Sequence, residues 1–226
     1  MDQPSSNTEL LRSLGHLSRG LSALFWGLPA SLVICAETSR DHWFRPLGML
    51  PALAGTGLLL YGLQQMGYFQ RQERPWHRAL DRARLLGLVN FGLCPFLYWQ
   101  NRVPNQPFFN AAVGVLALSA LLFLFNLNVV LKQLGAILPD ETLRQETLLF
   151  SRLNRWLLFI LLLSCAGYVV LLRQHGRNVA MDSLLVEIQS IGFWALTFFA
   201  LLPLALTMAL LWKAKEIILD SVFGQK

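Results

Sequence analysis

The stretch that most constrains the fold is Phe108–Leu131, in which 24 consecutive residues include no Asp, Glu, Lys, Arg or His. A helix needs about 20 apolar residues to cross the hydrocarbon of a bilayer, and a helix in the core of a soluble domain needs no such length. We therefore predict that this stretch is a transmembrane helix.

Five further charge-free stretches divide the rest of the chain, so we predict an all-α integral membrane protein with six transmembrane helices. The composition agrees, because only 14% of the residues are charged, against roughly 25% in a soluble domain. The predicted transmembrane domain is 20–212, and the tails are 1–19 and 213–226. The six predicted helices are 20–36, 46–70, 85–101, 108–131, 156–172 and 188–212.

The lengths of these stretches alternate between short and long: 17, 25, 17, 24, 17 and 25 residues. The alternation predicts three tandem antiparallel hairpins, each with one short and one long helix. Internal similarity favours the same division, because FWGLP at 25–29 aligns with NFGLC at 90–94 and places Gly27 over Gly92. The alignment leaves open whether the hairpins arose by duplication.

The positive charges predict the orientation of the chain. Fourteen of the 19 Lys and Arg residues lie in the two tails and in the spacers 71–84 and 132–155. Because such residues are enriched on the cytoplasmic side of membrane proteins, we predict that both termini are cytoplasmic. These residues also explain the net charge of +6, because they lie next to the membrane surface. We therefore expect membrane lipids as partners and no nucleic acid.

The polar residues inside the apolar stretches are the first candidate site. No Asp, Glu, Lys, Arg or His side chain lies there, which argues against proton relays, charge-coupled transport and voltage sensing. Amide side chains are costly against lipid, so they should face other helices. Counting from the ends of the third and fourth stretches, we expect Asn126 or Asn128, but not both, to meet Asn90. The candidate intramembrane contacts are Asn90, Asn126, Asn128 and Gln64.

A second candidate site is a set of charged and imidazole side chains in the spacers predicted to lie on the outer face. Acid, base and guanidinium groups at a membrane surface could act on a lipid headgroup. No nucleophile stands at a diagnostic spacing from them, so we predict a protein that is not an enzyme and keep a headgroup enzyme as an alternative. This outer-face cluster is Glu37, Arg40, Asp41, His42 and His175.

The histidines and cysteines form no cofactor pattern. A bis-histidine haem needs histidines inside the bundle, and zinc sites of the HExxH or paired CxxC type need spacings that the chain lacks. We therefore expect no cofactor and no metal. All four histidines (16, 42, 77 and 175) lie outside the apolar stretches, and Cys35, Cys94 and Cys165 lie inside them, where we interpret them as packing residues.

Two functional classes remain after these exclusions. We favour a non-catalytic subunit or scaffold of a membrane complex, in contact with other membrane subunits or with copies of itself. This class fits a core without ionisable groups and spacers that we predict to be helical extensions from Pro75 and Pro139. The alternative is a small transporter or channel for a neutral or lipid-like solute. It requires the four amide side chains to converge on one water-accessible cavity.

Overall fold

The fold is seen in a computed structural model that describes residues 3–40, 45–69, 74–137, 141–174 and 201–219. Within these ranges the chain is helical almost throughout and has no strand, which confirms the all-α prediction. The helices are α1 (Gln3–Arg40), α2 (Leu50–Met66), α3 (Arg74–Leu93), α4 (Pro95–Arg102), α5 (Pro107–Ile137) and α6 (Glu141–Gln174), with a helical C-terminal segment at 201–219.

Two helical stretches of the described chain are long and apolar enough to cross a membrane, as judged by length and composition. They are Arg12–Ser39 within α1 and Pro107–Ile137, which is α5. α2 has only 17 residues, and the third predicted stretch is divided between α3 and α4. Neither therefore forms a single long apolar helix, and the prediction of six crossings stays a prediction.

The helices do not alternate between short and long as predicted. α1, which contains a short apolar stretch, has 38 residues, whereas α2, which lies in a long one, has 17. A helix does not end where its apolar residues end, because an amphipathic continuation still buries one face. α6 likewise begins at Glu141 and continues into the fifth stretch. The spacers are thus helical extensions, as predicted, and Pro75 stands in the first turn of α3.

α1 and α2 pack antiparallel along a seam of glycines. Gly20 on α1 lies against Gly62 and Met66 on α2, and further along the pair Gly55 lies against Ser31. A Cβ atom at Gly20 would lie 2.8 Å from the carbonyl oxygen of Gly62, closer than real Cβ atoms come. The two backbones can therefore approach this closely only because both residues are glycine.

α3 and α4 together pack antiparallel against α5. Phe123 on α5 lies near Gly87 on α3, and at the other end of the pair the rings of Trp99 and Phe109 are stacked with centroids 6.5 Å apart. The short connection between Arg102 and Pro107 holds this end of the two helices together. It therefore sets which residues of α3 and α5 face each other.

The third apolar stretch is broken at Cys94–Pro95, and Cys94 has a role beyond the packing predicted for it. Pro95 has no N–H, so the carbonyl oxygen of Phe91 loses its usual intrahelical donor. Cys94 Sγ donates to that oxygen at 3.2 Å, and Thr56 Oγ1 of α2 lies 3.5 Å from the same sulfur. The thiol thus satisfies the carbonyl that the proline leaves without a donor.

The C-terminal segment completes the core. Trp212 contacts Phe25 of α1, with ring centroids 5.6 Å apart, and Thr207 contacts α5 and α6. The buried residues of the segment belong to the same hydrophobic cluster as those of α1, α2, α3 and α5. From the segment they are Leu204, Leu210, Leu211, Ala214 and Ile218.

Arg84 of α3 caps the C-terminus of α2. Its Nη2 atom donates to the carbonyl oxygens of Leu63 and Gln64, at 3.2 and 3.3 Å. The last carbonyls of a helix have no intrahelical donor and carry partial negative charge, so a guanidinium group stabilises this end. A side chain at Gly67 would occupy the place of the guanidinium group. Glycine at position 67 therefore leaves the room that the Arg84 cap occupies.

We expect Arg84→Ala to lower the free energy of unfolding in detergent by about 1–2 kcal/mol, because two carbonyls of the last turn of α2 lose a charged donor. Thermal or denaturant unfolding of the purified protein measures this change. Arg82→Ala is the matched control, since Arg82 is an exposed cation on the same helix. Its expected change is below about 0.5 kcal/mol. Equal losses in the two variants would contradict a capping role.

Candidate functional site

The four amide side chains proposed as intramembrane contacts lie in separate surroundings. Asn128 is fully buried on α5 and Asn90 is buried on α3, whereas Asn126 is partly exposed and Gln64 is exposed. Asn126 Nδ2 donates only within its own helix, to Leu122 O at 2.9 Å. In the described part of the chain, no hydrogen bond joins any two of the four. They do not converge on one cavity.

Gln65, not Gln64, makes the interhelical contact at the end of α2. His16 Nδ1 on α1 and Gln65 Oε1 are hydrogen-bonded at 2.8 Å, and the ring of Tyr68 lies 5.2 Å from the imidazole ring. This polar contact joins α1 and α2 beside the glycine seam. The two neighbouring glutamines could not be told apart from composition, because the direction in which each points depends on the rotation of α2.

The predicted pairing of Asn90 with Asn126 or Asn128 is wrong. Since Gly87 lies near Phe123 and the helices are antiparallel, Asn90 falls opposite Ser119, about two turns from Asn126. The prediction counted from the ends of the apolar stretches, whereas the tight connection between α4 and α5 sets the register from the other end. Asn90 Oδ1 and Ser119 Oγ are both buried, and neither has a hydrogen-bond partner among the described residues.

Asn128 instead belongs to a buried polar group that joins three helical elements, which we call the amide cluster. It consists of Asn128 of α5, Ser151 and Asn154 of α6, and Pro203 and Thr207 of the C-terminal segment. Asn128, Asn154 and Thr207 are completely buried, and Ser151 is nearly so. Asn128 Nδ2 and Asn154 Nδ2 lie 3.1 and 2.9 Å from Thr207 Oγ1. The cluster therefore has Thr207 at its centre.

The hydroxyl group of Thr207 fixes the orientation of both amides. Its one hydrogen is donated to Pro203 O at 2.7 Å. Its oxygen can then only accept, so the atom that each asparagine turns toward it must be the NH2 group. The second hydrogen of Asn128 goes to Leu124 O at 2.8 Å, and that of Asn154 to Pro203 O at 3.3 Å. Every amide hydrogen in the cluster is thus used.

This arrangement leaves two amide oxygens without a donor. Asn128 Oδ1 and Asn154 Oδ1 are fully buried and have no hydrogen-bond partner among the described residues. The Ser151 hydroxyl does not supply one, because it donates to the backbone oxygen of Asn128 at 3.5 Å. A buried acceptor left unpaired costs about 1–3 kcal/mol, so these two oxygens oppose folding as long as no donor reaches them.

Sequence reasoning identified Asn128 but missed Asn154 and Thr207 as its partners. Asn154 lies in the spacer 132–155, outside every apolar stretch, where the sequence predicts a helical extension and no buried contact. A signal was present, because Ser151 and Asn154 are three residues apart and so share one helix face. The same face of α6 continues with the buried Leu158 and Leu161, so the polar pair lies on a face that the protein covers.

The outer-face cluster is only partly within the described residues. Glu37 lies in the last turns of α1 and is partly buried, and Arg40 is the last residue of that helix. Asp41, His42 and His175 lie outside the described residues. The gathering of these side chains at one surface therefore stays a prediction.

Known proteins offer no template for this arrangement. No family model matches the chain, and no curated protein or solved structure matches it. Within the described ranges, no group of three or more His, Cys, Asp or Glu side chains is placed to hold a metal ion.

Proposed function

We propose that the chain is a multi-pass integral membrane protein that acts as a non-catalytic subunit or scaffold of a membrane complex, joined to other membrane subunits or to further copies of itself. The observation that carries this proposal is that buried and partly buried polar side chains link the helices to one another. The amide cluster joins α5, α6 and the C-terminal segment, His16–Gln65 joins α1 and α2, and Asn101 Nδ2 donates to Thr38 O between α4 and α1.

The exposed apolar surface of α5 supports the proposal that the protein lies in a membrane. Only 17% of the most apolar 18 residues of α5 are buried within the protein, although α5 is more apolar than the other long helix that could cross a membrane. A core helix of a soluble protein would be mostly covered, and so large an apolar surface in water would cause aggregation. We propose that lipid or another membrane helix covers this surface of α5. The exposed apolar residues of this face are Phe108, Val115, Leu118, Leu122 and Phe125.

The alternative function, transport of a neutral or lipid-like solute, has less support. It needs a path on which Asn90, Asn126, Asn128 and Gln64 converge. Their separate surroundings provide no such path, because one is exposed and another donates only to its own backbone. The proposed role is therefore to hold helices and partners together, with six crossings and both termini in the cytoplasm.

The orientation is tested by placing single cysteines. Asn105 lies in the exposed connection between α4 and α5, so Asn105→Cys is expected to react with a membrane-impermeant maleimide in intact cells. Gln3→Cys and Gln225→Cys should react only after permeabilisation, because the positive charges retain both tails inside. The wild-type protein, with its own cysteines, gives the background. Labelling of either terminus from outside would overturn the orientation.

The scaffold role is tested by photo-crosslinking in native membranes. A photoreactive residue at Leu118 of α5 and one at Leu163 of α6 sample two exposed apolar faces. A scaffold is expected to give a discrete protein adduct of constant size from at least one face. The same residue at the buried Leu127 is the control, since it should give only adducts within the chain. Lipid adducts alone from both exposed positions would contradict the proposed function.

A further inference from the structure

The exposed face of α3 changes from cationic to apolar along the helix. Arg74, Arg78 and Arg82 are exposed and follow one another at intervals of four residues, so they lie in one slanting row on the helix surface. Leu85 and Leu88 continue the same face and are 65% and 66% exposed. The change from arginine to leucine thus occurs within one turn. The opposite face of α3 is buried in the protein, and its buried residues are Trp76, Ala79, Leu80, Ala83, Gly87 and Asn90.

α1 changes from charged to apolar at the same level. Gly20 of α1 lies against Met66 at the end of α2, and Arg84 of α3 caps that same end. Arg19, the exposed neighbour of Gly20, is therefore level with this part of α3, and the next exposed residue of α1 is Trp26. In a membrane protein, such a change from arginine to apolar and aromatic residues marks the boundary between headgroups and hydrocarbon.

The arginines of α3 are not neutralised within the described part of the chain. None of Arg74, Arg78 and Arg82 forms an ion pair or a hydrogen bond with a described residue. Asp81 lies on the same face, but its carboxylate pairs with Arg84 at 3.5 Å. The row therefore keeps its positive charge, and guanidinium groups bind phosphate oxygens through two parallel hydrogen bonds.

We propose that this face of α3 binds anionic phospholipid, with the phosphate group at the three arginines and the acyl chains along Leu85 and Leu88. A soluble anion would meet the arginines and leave the leucines in water, whereas a phospholipid matches both parts of the face. A zwitterionic headgroup carries its own cation, which the arginines repel, so the lipid is anionic. The inference rests on the membrane location in the proposed function and does not depend on the scaffold role.

The test titrates the purified full-length protein in neutral detergent with phosphatidylglycerol or phosphatidylcholine of the same acyl chains, and native mass spectrometry counts the bound lipids. One basic residue at an anionic surface strengthens binding about fivefold, so we expect the protein to bind phosphatidylglycerol more than about tenfold more tightly. Equal affinity for the two lipids would overturn the inference. Washing membranes with alkaline carbonate tests the membrane location separately, because release of the protein into solution would contradict the proposed function itself.

Replacing the three arginines together locates the lipid. The variant Arg74→Gln/Arg78→Gln/Arg82→Gln is expected to bind the two lipids equally, because glutamine is polar but carries no charge. All three positions are exposed, so its Tm without added lipid should match that of the wild-type protein. An undiminished preference in this variant would contradict the inference. So would the loss of a dimer that the wild-type protein forms, because the face would then bind a second copy of the chain.

The matched control removes the same number of charges from other helices. Arg12, Arg102 and Arg152 are exposed on α1, α4 and α6, and their joint replacement with Gln should keep the preference. Equal losses in the two triple variants would assign the preference to net charge and overturn the binding face. Glycerol phosphate, which has the phosphate group without acyl chains, is expected not to displace phosphatidylglycerol at millimolar concentration. Displacement would indicate a site for a soluble anion and would also count against the lipid.

Discussion

Replacing Thr207 with Val is expected to lower the free energy of unfolding by about 2–3 kcal/mol, a drop in Tm of roughly 8 °C. Valine has nearly the same shape as threonine, so the lost stability comes from the missing hydroxyl group and not from altered packing. It removes the acceptor of the Asn128 and Asn154 amide groups and the donor of Pro203 O. A single interhelical hydrogen bond in a membrane protein is worth about 0.6 kcal/mol on average. The larger effect is expected because two amides depend on one hydroxyl group.

Thr207→Ser is the matched control, since it keeps the hydroxyl group and removes only a methyl group. Its expected loss is below about 1 kcal/mol. Thermal unfolding in detergent compares the two variants with the wild-type protein. A double-mutant cycle with Asn154→Leu adds a second measure, because the two substitutions break the same contact and should be far from additive. Equal effects of Val and Ser at position 207 would show that the hydroxyl group is not the centre of the cluster.

The sequence predicted the helical class because the evidence for it is local. Each apolar stretch is long and uncharged, and most of the described part of each stretch lies in a helix. The rule that an amide is costly against lipid was applied to four side chains, of which Asn90 and Asn128 are buried and Asn126 and Gln64 are not. Rules of this kind need only the chain near the residue in question, and a single sequence contains that information.

Contacts between helices could not be predicted in the same way. Which residue of α5 faces Asn90 depends on the connection between Arg102 and Pro107, which sets the register of the whole pair. An error of seven residues in register, about two turns, moves the partner from Ser119 to Asn126. The role of Thr207 depended in addition on the folding of the C-terminal segment against α5 and α6.

The contacts at two helix ends could not be predicted from nearby residues either. Nothing near Leu63 and Gln64 in the sequence indicates that their carbonyls are capped by Arg84, which follows twenty or more residues later. The arginine was interpreted as a charge at the membrane surface, which is compatible with its partial exposure but omits its contact. The break at Pro95 was visible in the sequence, whereas the thiol that satisfies Phe91 O required the geometry.

Replacing Gly20 with Ala is expected to lower the free energy of unfolding by about 2–3 kcal/mol. The added Cβ atom would lie 2.7 Å from Met66 Cγ, 2.8 Å from Gly62 O and 3.1 Å from Met66 N. The Met66 side chain can move, but two of the three atoms belong to the backbone of α2. The helices therefore have to separate, which opens the packing of Leu24 against Gly62 as well.

Gly15→Ala is the matched control on the same helix, because a Cβ atom there meets nothing within 4 Å. Alanine favours a helix over glycine by up to about 1 kcal/mol, so this variant is expected to gain stability while Gly20→Ala loses it. Opposite signs for the same substitution on one helix would assign the loss to the seam and not to helix propensity. Thermal unfolding in detergent gives both values.

The double variant Gly20→Ala with Gly62→Ala separates a shared close approach from two independent contacts. A Cβ atom at Gly62 would lie 2.9 Å from Leu24 Cγ and 3.0 Å from Gly20 O, on the other side of the same crossing. Once the first alanine has pushed the helices apart, the second Cβ atom fits without a further clash. The free energy of unfolding of the double variant is therefore expected to fall by clearly less than the sum of the two single decreases. Strict additivity would mean that the two glycines act at separate places and that α1 and α2 do not depend on one point of backbone contact.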